Sequence, residues 1–439
     1  MRRQRKSLVV GVLREKTERG ERRAPLSPSD VKWLVEKGIR VEVESHPLRV
    51  FEDSEYRKAG AAIVRNIRKA TLLVGVKAME PSNIIGGKIY MMFSHTVKGQ
   101  KNNISLLKEF IRKHVTLIDY EKIRDPRGKR LVYFGKHAGI CGMVDSLYYY
   151  GRKLRCRGIS TPFLKMKQSW KYEDMEDVRK NIEKVREKIH SKGFPGKVKP
   201  FIVGVIGRGN VSSGVQEVLG IMGAEEVHPR DMDRFVKSRK LDSKKIYMIV
   251  FYREEKIRAK SGKKFYFEEY LEHPELFQSN MDNYLPKLNM LVNCAYWDEH
   301  YPRMVSKQML KDSYRKRNFR LEFISDISCD IGGSIESTYR TTTQKSPVYT
   351  YDPSSDSYVK GYGRPGISIL AIDNLPTELP KDSSKSFSSL IREYIYQVAE
   401  HGILNVAEHI AIPREIRQAV VTQGGQLTDN YRYLERYFA

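Results

Sequence analysis

Residues 200–214, PFIVGVIGRGNVSSG, carry an apolar strand directly into two closely spaced glycines and on toward a helix. An apolar run of this length is typical of a strand buried in a parallel sheet. Gly207 permits a tight turn, and Gly209 lets a ligand approach the backbone closely. The following helix, expected over 215–222, offers its N-terminus to phosphates. The stretch therefore predicts a dinucleotide-binding turn, with a ligand-free βα turn as the alternative. Its proposed cofactor contacts are Gly207, Arg208, Gly209, Asn210 and Val211.

The next strand bears on which cofactor is bound. In NAD-binding turns of this kind, an acidic residue at the end of the second strand binds the ribose 2′-hydroxyl. Counting onward from Glu225, that position falls on or beside Arg230. Because arginines at Arg230 and Arg208 suit a 2′-phosphate, we expect NADPH or NADP, with NAD as the alternative. The basic composition of the chain is another explanation for two exposed arginines.

Further apolar runs at 245–251, 290–293 and 323–327 extend this second sheet. Asp330 lies just beyond the last of them. At the carboxyl end of a strand it would face the nicotinamide. A turn aspartate preceding the pair Gly332-Gly333 is the other interpretation.

Ahead of this region, residues 7–135 alternate short apolar strands with helical patterns, which predicts another parallel sheet. The strands are expected at 8–13, 71–76, 89–93 and 115–119. A charged or titratable side chain follows each strand in turn: Arg23, Lys77, His95 and Glu121. Ligands bind beyond the carboxyl ends of such strands, so we expect these four side chains to meet at one edge.

The end of the chain helps to define the domains. After the run DNLP at 373–376, a helical pattern extends from 383 to about 407. A long helix after the last strand of a cofactor domain often returns to the first domain. The predicted fold class is therefore α/β, with two Rossmann-like, doubly wound parallel-sheet domains. Residues 136–379 form an NAD(P)-binding Rossmann domain that is inserted into a discontinuous substrate-binding domain, residues 1–135 plus 380–439.

Composition excludes several classes of protein. With 79 Lys+Arg against 53 Asp+Glu, the formal net charge is +26. The basic residues are spread along the chain without a nucleic-acid-binding motif, so they favour attraction of anionic substrates over nucleic-acid recognition. The four cysteines lack metal-ligand or disulfide spacing, and no metal is expected. Without an apolar run of about 18 residues or a secretory signal, we expect no membrane span and a cytoplasmic or mitochondrial-matrix protein that is not secreted.

Several motifs together resemble one family. The chain resembles the lysine–2-oxoglutarate reductase half of aminoadipic semialdehyde synthase and, more distantly, yeast-type saccharopine dehydrogenase, alanine dehydrogenase and the NAD domain of transhydrogenase. The motifs follow the order of the family over nearly the whole chain. They are ERRAPL at 21–26, GVK at 75–77, FSHT at 93–96 with Lys98 and Gln100, LIDYEK at 117–122, GRGNVS at 207–212, YW at 296–297, DIS at 326–328 with Asp330 and GGSIE at 332–336, and DNLP at 373–376.

The resemblance implies an enzyme that condenses L-lysine with 2-oxoglutarate and reduces the imine with NADPH to saccharopine, the first step of lysine degradation. It also implies a saccharopine dehydrogenase of the glutamate-forming type as a separate chain or further domain. The motif match places Lys77 and His95 at the family's acid/base positions. An unperturbed histidine has a pKa near 6.5, which suits proton transfer at neutral pH.

The remaining polar residues receive supporting roles. Glu121 and Asp330 would orient or tune the acid/base pair. Arg23 and Arg130 would bind substrate carboxylates, because a guanidinium group fits a carboxylate bidentately. Lys98 would add charge for the second carboxylate of 2-oxoglutarate. Lys129 is the alternative to Arg130.

Two other functions stay open on the sequence alone. One is an amino-acid dehydrogenase of the same superfamily that acts on a smaller substrate such as alanine. The other is a non-catalytic basic binding protein that retains the dehydrogenase fold. Dependence of turnover on lysine or on ammonia separates the two enzymes, and steep salt dependence of binding without turnover indicates the third.

Overall fold

A computed structural model describes residues 8–16, 20–97, 99, 101–238, 241–402 and 412–438, with only the backbone of residues 101 and 102. The chain forms two compact units. One combines Met1–Phe134 with Pro380–Ala439, and the other is Gly135–Leu379. Within the described ranges, no helix has the length and apolar character needed to cross a membrane.

The first unit contains one sheet flanked by helices, with elements numbered along the whole chain. Its strands are β1 (Val10–Val12), β2 (Val41–Glu44), β3 (Ala62–Val64), β4 (Leu72–Lys77), β5 (Ile89–Phe93), β6 (Thr116–Asp119), β17 (Val420–Gln423) and β18 (Gln426–Leu427). Its helices are α1 (Pro28–Glu36), α2 (Asp53–Lys58), α3 (Lys101–Arg112), α11 (Pro380–His401) and α12 (Arg414–Ala419).

The strand order of this sheet is β18-β17-β6-β5-β4-β1-β2-β3. Strands β1 to β6 run parallel, whereas β17 lies antiparallel against β6 and β18 antiparallel against β17. Six parallel strands end at one edge of the sheet. That edge gathers the segments that follow them.

Helix α11 returns the chain to the first unit. Phe387, Ile391 and Ile395 are fully buried in the core that also holds the strands of this sheet. The helix starts at Pro380 and ends at His401, where Gly402 takes a positive φ of 67°. The expected start at 383 is therefore corrected by three residues, and the part of the predicted helix at 403–407 lies outside the described residues.

The second unit also contains a large sheet with helices. Its strands are β7 (Phe201–Ile206), β8 (Glu225–Glu226), β9 (Ile246–Phe251), β10 (Ile257–Ala259), β11 (Phe277–Ser279), β12 (Met290–Asn293), β13 (Phe323–Asp326), β14 (Val348–Asp352), β15 (Ser357–Lys360) and β16 (Ile367–Leu370). Its helices are α4 (Gly135–Cys156), α5 (Met175–Lys192), α6 (Asn210–Ile221), α7 (Met232–Lys237), α8 (Arg253–Lys256), α9 (Phe267–Glu272) and α10 (Lys307–Tyr314).

The main sheet of this unit has the order β15-β14-β16-β13-β12-β7-β9-β8, and β10 and β11 form a separate antiparallel pair. Strands β14 and β15 are antiparallel additions at one edge. The other six strands are parallel. The prediction of two α/β domains built on largely parallel sheets is thus confirmed.

Helices α4 and α6 touch along their backbones. A Cβ atom on Gly139 would lie 1.9 Å from the carbonyl oxygen of Val211, and one on Gly214 would lie 2.0 Å from that of Lys136. The contact fixes the start of α6 against the start of α4. Helix α6 begins at Asn210, five residues before the predicted start, because polar residues in its first turn hid the helix from an apolar pattern.

Candidate active site and cofactor loop

Charged side chains gather at the carboxyl edge of the first sheet. Lys77 is the last residue of β4, His95 comes two residues after β5, and Glu121 comes two residues after β6. Arg23 lies in the segment between β1 and α1. Ion pairs join these side chains in two groups.

Glu21 is the centre of the first group. Its buried carboxylate accepts hydrogen bonds from Arg23 Nε at 2.8 Å and from Arg23 Nη2 at 2.7 Å. The Nζ atom of Lys77 lies 3.9 Å from Glu21 Oε2. Burial alone would raise the pKa of Glu21, but the hydrogen bonds and charge of Arg23, together with the charge of Lys77, hold that pKa below its ordinary value. Glu21 is therefore an anion that holds both cations in place.

This arrangement gives Arg23 a structural role beside the substrate contact that the sequence predicts. The side chain is buried, its Nε/Nη2 edge is occupied by Glu21, and its guanidinium carbon lies 4.1 Å from the centre of the Phe134 ring. A carboxylate can use only one such bidentate edge at a time. Arg23 is thus placed to position Glu21 and Lys77, and its contact with a substrate carboxylate stays a prediction.

Glu121 is the centre of the second group. Glu121 Oε1 lies 3.8 Å from His95 Nδ1 and 3.3 Å from Arg130 Nη2. The His95 side chain is 48% exposed and that of Arg130 is 37% exposed, whereas that of Glu121 is 10% exposed. A buried carboxylate thus orients two side chains that remain open to a ligand.

Asp119, at the end of β6, forms hydrogen bonds to the backbone on either side of this second group. Its carboxylate accepts hydrogen bonds from the backbone N–H of Ser94 at 3.2 Å and of Glu121 at 2.8 Å, as well as from the Ser94 hydroxyl. Burial raises the pKa of Asp119, and these hydrogen bonds oppose the rise. His95 itself has a φ of 56°, a left-handed backbone conformation that is uncommon outside glycine. The hydrogen bonds between Ser94 and Asp119 therefore hold the loops after β5 and β6 together, next to His95 and Glu121.

Glu15 is a site residue that sequence reasoning missed. Its carboxylate accepts hydrogen bonds from the backbone N–H of Val76 at 2.5 Å and of Lys77 at 3.2 Å. Burial is the main reason that its pKa rises to about 7. The sequence feature that located Lys77 and His95, a charged side chain after an apolar strand, is also present at Glu15, which follows the first strand. Of the predicted residues in this unit, Lys98 lies outside the described residues.

The glycine loop of the second unit forms a cradle suited to a phosphate. Gly207 has a φ of 106°, and a Cβ atom there would lie 3.1 Å from the backbone carbonyl of Cys294. Gly209 is the residue before α6, no side chain among the described residues caps this helix end, and the space beside Gly209 is open. The N–H groups of Asn210 and Val211 belong to the first turn of α6. The loop therefore fits the pyrophosphate of a dinucleotide.

Strand order determines which side chains lie near this loop. Strand β9 pairs directly with β7, and β8 lies beyond β9 at the edge of the sheet. Tyr252, just after β9, lies under the Arg208 guanidinium, whose carbon is 4.0 Å from the ring centre. Arg230, after β8, instead contacts the buried Glu255, with Nε 3.2 Å from Oε1. Arg208 is thus the cation attached to the loop, and the charge of Arg230 is already balanced.

Asp330 follows β13 in a tight turn. Its carbonyl oxygen accepts a hydrogen bond from Gly333 N at 3.0 Å, and a Cβ atom on Gly333 would lie 2.6 Å from the Cβ of Asp330. Trp297 packs on the same turn, because its ring atom Cε3 would lie 3.2 Å from a Cβ atom on Gly333. Asp330 is partly buried. The turn therefore fixes the backbone of Asp330 at the carboxyl edge of the second sheet.

Comparison with known proteins identifies the family. Residues 11–141 match the family described as "Alanine dehydrogenase/PNT, N-terminal domain", and residues 188–430 match "Alanine dehydrogenase/PNT, C-terminal domain". The chain belongs to the alanine dehydrogenase/PNT family.

Three curated relatives are similar over most of this chain. Alpha-aminoadipic semialdehyde synthase of Arabidopsis thaliana is 33% identical, with 98% of this chain and 41% of the relative covered. The mitochondrial enzyme of the same name from Mus musculus is 30% identical, with 98% and 48% covered. Saccharopine dehydrogenase [NAD(+), L-lysine-forming] of Neurospora crassa is 26% identical, with 86% and 87% covered. The chain thus spans less than half the length of the first two relatives.

Solved structures agree on the fold. An L-alanine dehydrogenase superposes with a TM-score of 0.63 at 17% identity, covering 98% of this chain and 99% of that one. A transhydrogenase from Sinorhizobium meliloti gives a TM-score of 0.56 at 15% identity, covering 96% and 98%. Both likenesses concern the fold alone.

Proposed function

We propose that this protein is a lysine–2-oxoglutarate reductase, an oxidoreductase that joins the ε-amine of L-lysine to the keto carbon of 2-oxoglutarate and reduces the resulting imine to saccharopine. The observation that carries the proposal is the pair of ion-paired groups at one sheet edge, Lys77 with Glu21 and His95 with Glu121. They provide two separate proton-transfer groups, each beside a carboxylate. The name of the Neurospora crassa relative, saccharopine dehydrogenase [NAD(+), L-lysine-forming], favours lysine and saccharopine as reactants. The choice of 2-oxoglutarate rests on the motif resemblance.

The reaction needs several proton transfers, and we assign them to these residues. The ε-ammonium of lysine must lose a proton before it attacks, and His95 is the proposed acceptor, with Glu121 stabilising the imidazolium that forms. The keto oxygen must gain protons before it leaves as water, and Lys77 is the proposed donor. Glu21 keeps the Lys77 ammonium in position, and Arg23 keeps Glu21 ionised.

Substrate carboxylates require exposed cations. Arg130 is the proposed binding group, because it contacts Glu121 through one nitrogen at 3.3 Å and its side chain is 37% exposed. Lys98 is proposed to bind the second carboxylate of 2-oxoglutarate. A guanidinium fork and a lysine ammonium together match a dicarboxylate.

The second unit is the proposed cofactor-binding domain. When bound, NADPH supplies the hydride. The loop from Gly207 to Val211 would hold the pyrophosphate, Arg208 would contact the 2′-phosphate, and Asp330 would lie on the nicotinamide side. Arg230 is a weaker candidate for the 2′-phosphate because Glu255 already pairs with it. NAD remains the competing cofactor.

The product would be consumed by a glutamate-forming saccharopine dehydrogenase, as a separate chain or a further domain. We propose the cytoplasm or the mitochondrial matrix as the compartment, in line with the mitochondrial relative.

The test is product identification by mass spectrometry. The purified protein is mixed with NADPH or NADH, 2-oxoglutarate and either lysine or ammonia, and in a parallel reaction with pyruvate and ammonia. We expect lysine-dependent NADPH oxidation and a product with the mass of saccharopine. Turnover of pyruvate and ammonia to alanine, or the absence of turnover in every mixture, would overturn the proposal.

A further inference from the structure

A basic cavity lies in the second unit, away from the glycine loop. It has a volume of about 590 Å³ and is formed by the ends of α4 and α5 and the segment between them. This volume falls within the range of small-molecule sites, roughly 300–1,000 Å³. Five cations line the cavity and no acidic residue does: Arg152, Arg155, Lys165, Lys188 and Lys192.

The charge of this cavity is not balanced within the described part of the chain. None of its five cations forms an ion pair there, whereas Lys167 and Lys180 in the same region pair with Asp177 and Glu176. Cations in the last turn of a helix are favoured by the helix dipole, which accounts for Arg155 and Lys192. The dipole does not account for Lys165, which lies in the connecting segment on the same cavity wall.

Buried polar atoms of two cavity-lining residues also lack partners among the described residues. Thr161 is 5% exposed, and its hydroxyl oxygen makes no hydrogen bond with any described residue. The Nε atom of Arg152 is buried and similarly has no described partner. Buried polar atoms are normally hydrogen-bonded, so these two lining residues each keep an unused donor, which a change of rotamer would direct at the acceptor oxygens of a ligand.

The cavity is distinct from the proposed cofactor site. Helix α4 touches the start of α6 at Gly139, and Arg152 lies 13 residues further along α4, about 20 Å at 1.5 Å per residue. Phe163 and Phe194, on the cavity side, pack on Phe201 at the first position of β7 with ring centres 5.0 and 5.2 Å away. The cavity therefore lies at the amino end of β7, and the glycine loop follows its carboxyl end.

We propose that this cavity binds an oligophosphate, either inorganic or as the phosphate chain of a nucleotide. Such a ligand carries several negative charges in a compact row and only acceptor oxygens along the chain. It matches five cations, the Thr161 hydroxyl and the Arg152 N–H in one cavity. This inference does not depend on the proposed reaction.

The test is calorimetric titration of the full chain with inorganic tripolyphosphate at physiological salt, with ATP and inorganic monophosphate in parallel. The site variant is Lys188→Gln/Lys192→Gln. The control is Arg179→Gln/Lys180→Gln, which removes two exposed cations from the same helix without touching the cavity. We expect saturable tripolyphosphate binding that weakens at least tenfold in the site variant and less than twofold in the control.

Three comparisons complete the experiment: the variant Thr161→Val, ATP as a second ligand, and a single-stranded oligonucleotide as a third. Thr161→Val should weaken tripolyphosphate binding severalfold, because it removes the hydroxyl and keeps the shape of the side chain. ATP binding at a similar affinity would assign the source of the phosphate chain to a nucleotide as well, and binding of tripolyphosphate alone would assign it to the inorganic ion. Equal weakening in site and control variants, no saturation, or binding only of a single-stranded oligonucleotide would overturn the proposal.

Discussion

The two large sheets of this chain hold functional groups at their carboxyl edges in different ways. In the first sheet, the parallel strands follow the order β3-β2-β1-β4-β5-β6, and the edge is organised by side chains in ion pairs. In the second, the edge is organised by backbone: Gly207 turns against the carbonyl of Cys294, and α6 packs on α4 through Gly139 and Gly214. One edge therefore depends on charge and the other on the absence of side chains.

The two sheets also differ in topology. The order 3-2-1-4-5-6 is usual for a dinucleotide-binding sheet, and the first sheet has it among its parallel strands. The second sheet exchanges its second and third strands, so β9 lies between β7 and β8. A strand order thus does not identify the cofactor domain by itself. The proposal that the second unit binds the cofactor rests instead on the glycine loop and the open start of α6.

The largest effect is expected when the charged edge loses its lysine. Lys77→Met removes the proposed proton donor and keeps most of the side chain's apolar volume. We expect kcat/KM for lysine and 2-oxoglutarate to fall by about 10³-fold with the thermal midpoint little changed. The matched control is Lys58→Met, an exposed lysine at the end of α2, which should keep full activity. A kcat/KM of K77M within tenfold of the wild-type value would show that Lys77 is not the proton donor.

The glycine-organised edge should instead respond in stability. In Gly139→Ala the new methyl group would overlap the carbonyl oxygen of Val211, so α4 and α6 must move apart. We expect a loss of about 2–3 kcal/mol in the free energy of unfolding, measured by urea titration. Gly220→Ala is the control on α6, because the space beside Gly220 is open and alanine favours a helix. Equal stability of G139A and the wild type would contradict the close packing.

Strand ends were the most informative feature of the sequence. The apolar runs located β1, β4, β5, β6, β9, β12 and β13 to within two residues of their observed bounds at both ends, because each is a mainly buried run. Lys77, His95 and Glu121 follow from those ends, since parallel strands share one carboxyl edge.

Pairings beyond the strand ends could not be predicted. The spacing of Glu21 and Arg23 does not show that the Glu21 carboxylate binds the Nε/Nη2 edge of the Arg23 guanidinium, because that contact depends on local backbone geometry. Arg230 was placed by counting along the chain, which assumes that β8 lies next to β7. Strand order is a long-range property of the sheet, and β8 is only two residues long. The start of α6 was missed because its first turn is polar.

A smaller effect is expected at the glycine loop, in cofactor choice. In Arg208→Ala we expect the Kd for NADPH to rise about tenfold, or about 1.4 kcal/mol, and the Kd for NADH to change less than twofold. The reason is that Arg208 is the cation carried by the loop itself. Fluorescence titration with NADPH and, separately, with NADH measures both Kd values without turnover.

Arg230→Ala is the comparison for that titration. Because Glu255 already pairs with Arg230, we expect the NADPH Kd to rise only two- to threefold. A larger effect of R230A than of R208A would return the main cofactor contact to the residue after β8. Unchanged NADPH binding in both variants would favour NAD as the cofactor.

The smallest effect concerns the pH dependence of stability at the charged edge. The pKa of Glu15 is about 7 in the folded chain, against an ordinary value of 4.5, mainly because of burial. The folded state therefore holds this proton more tightly than the unfolded state. The stabilisation is complete below about pH 4.5 and is lost as the pH rises through 7.

Glu15→Gln keeps an acceptor for the N–H groups of Val76 and Lys77 but cannot ionise. The full difference in pKa would give about 2.5 kcal/mol between pH 5 and 8. Because the Glu15 residue is partly exposed, we expect the wild type to lose only about 1 kcal/mol of unfolding free energy relative to E15Q over that range, measured by urea titration at each pH. Glu36→Gln, on the exposed side of α1, is the control for removing a carboxylate. Parallel stability curves for the wild type and E15Q would mean that Glu15 is already ionised at neutral pH, and that the charged edge carries one more fixed anion beside Glu21.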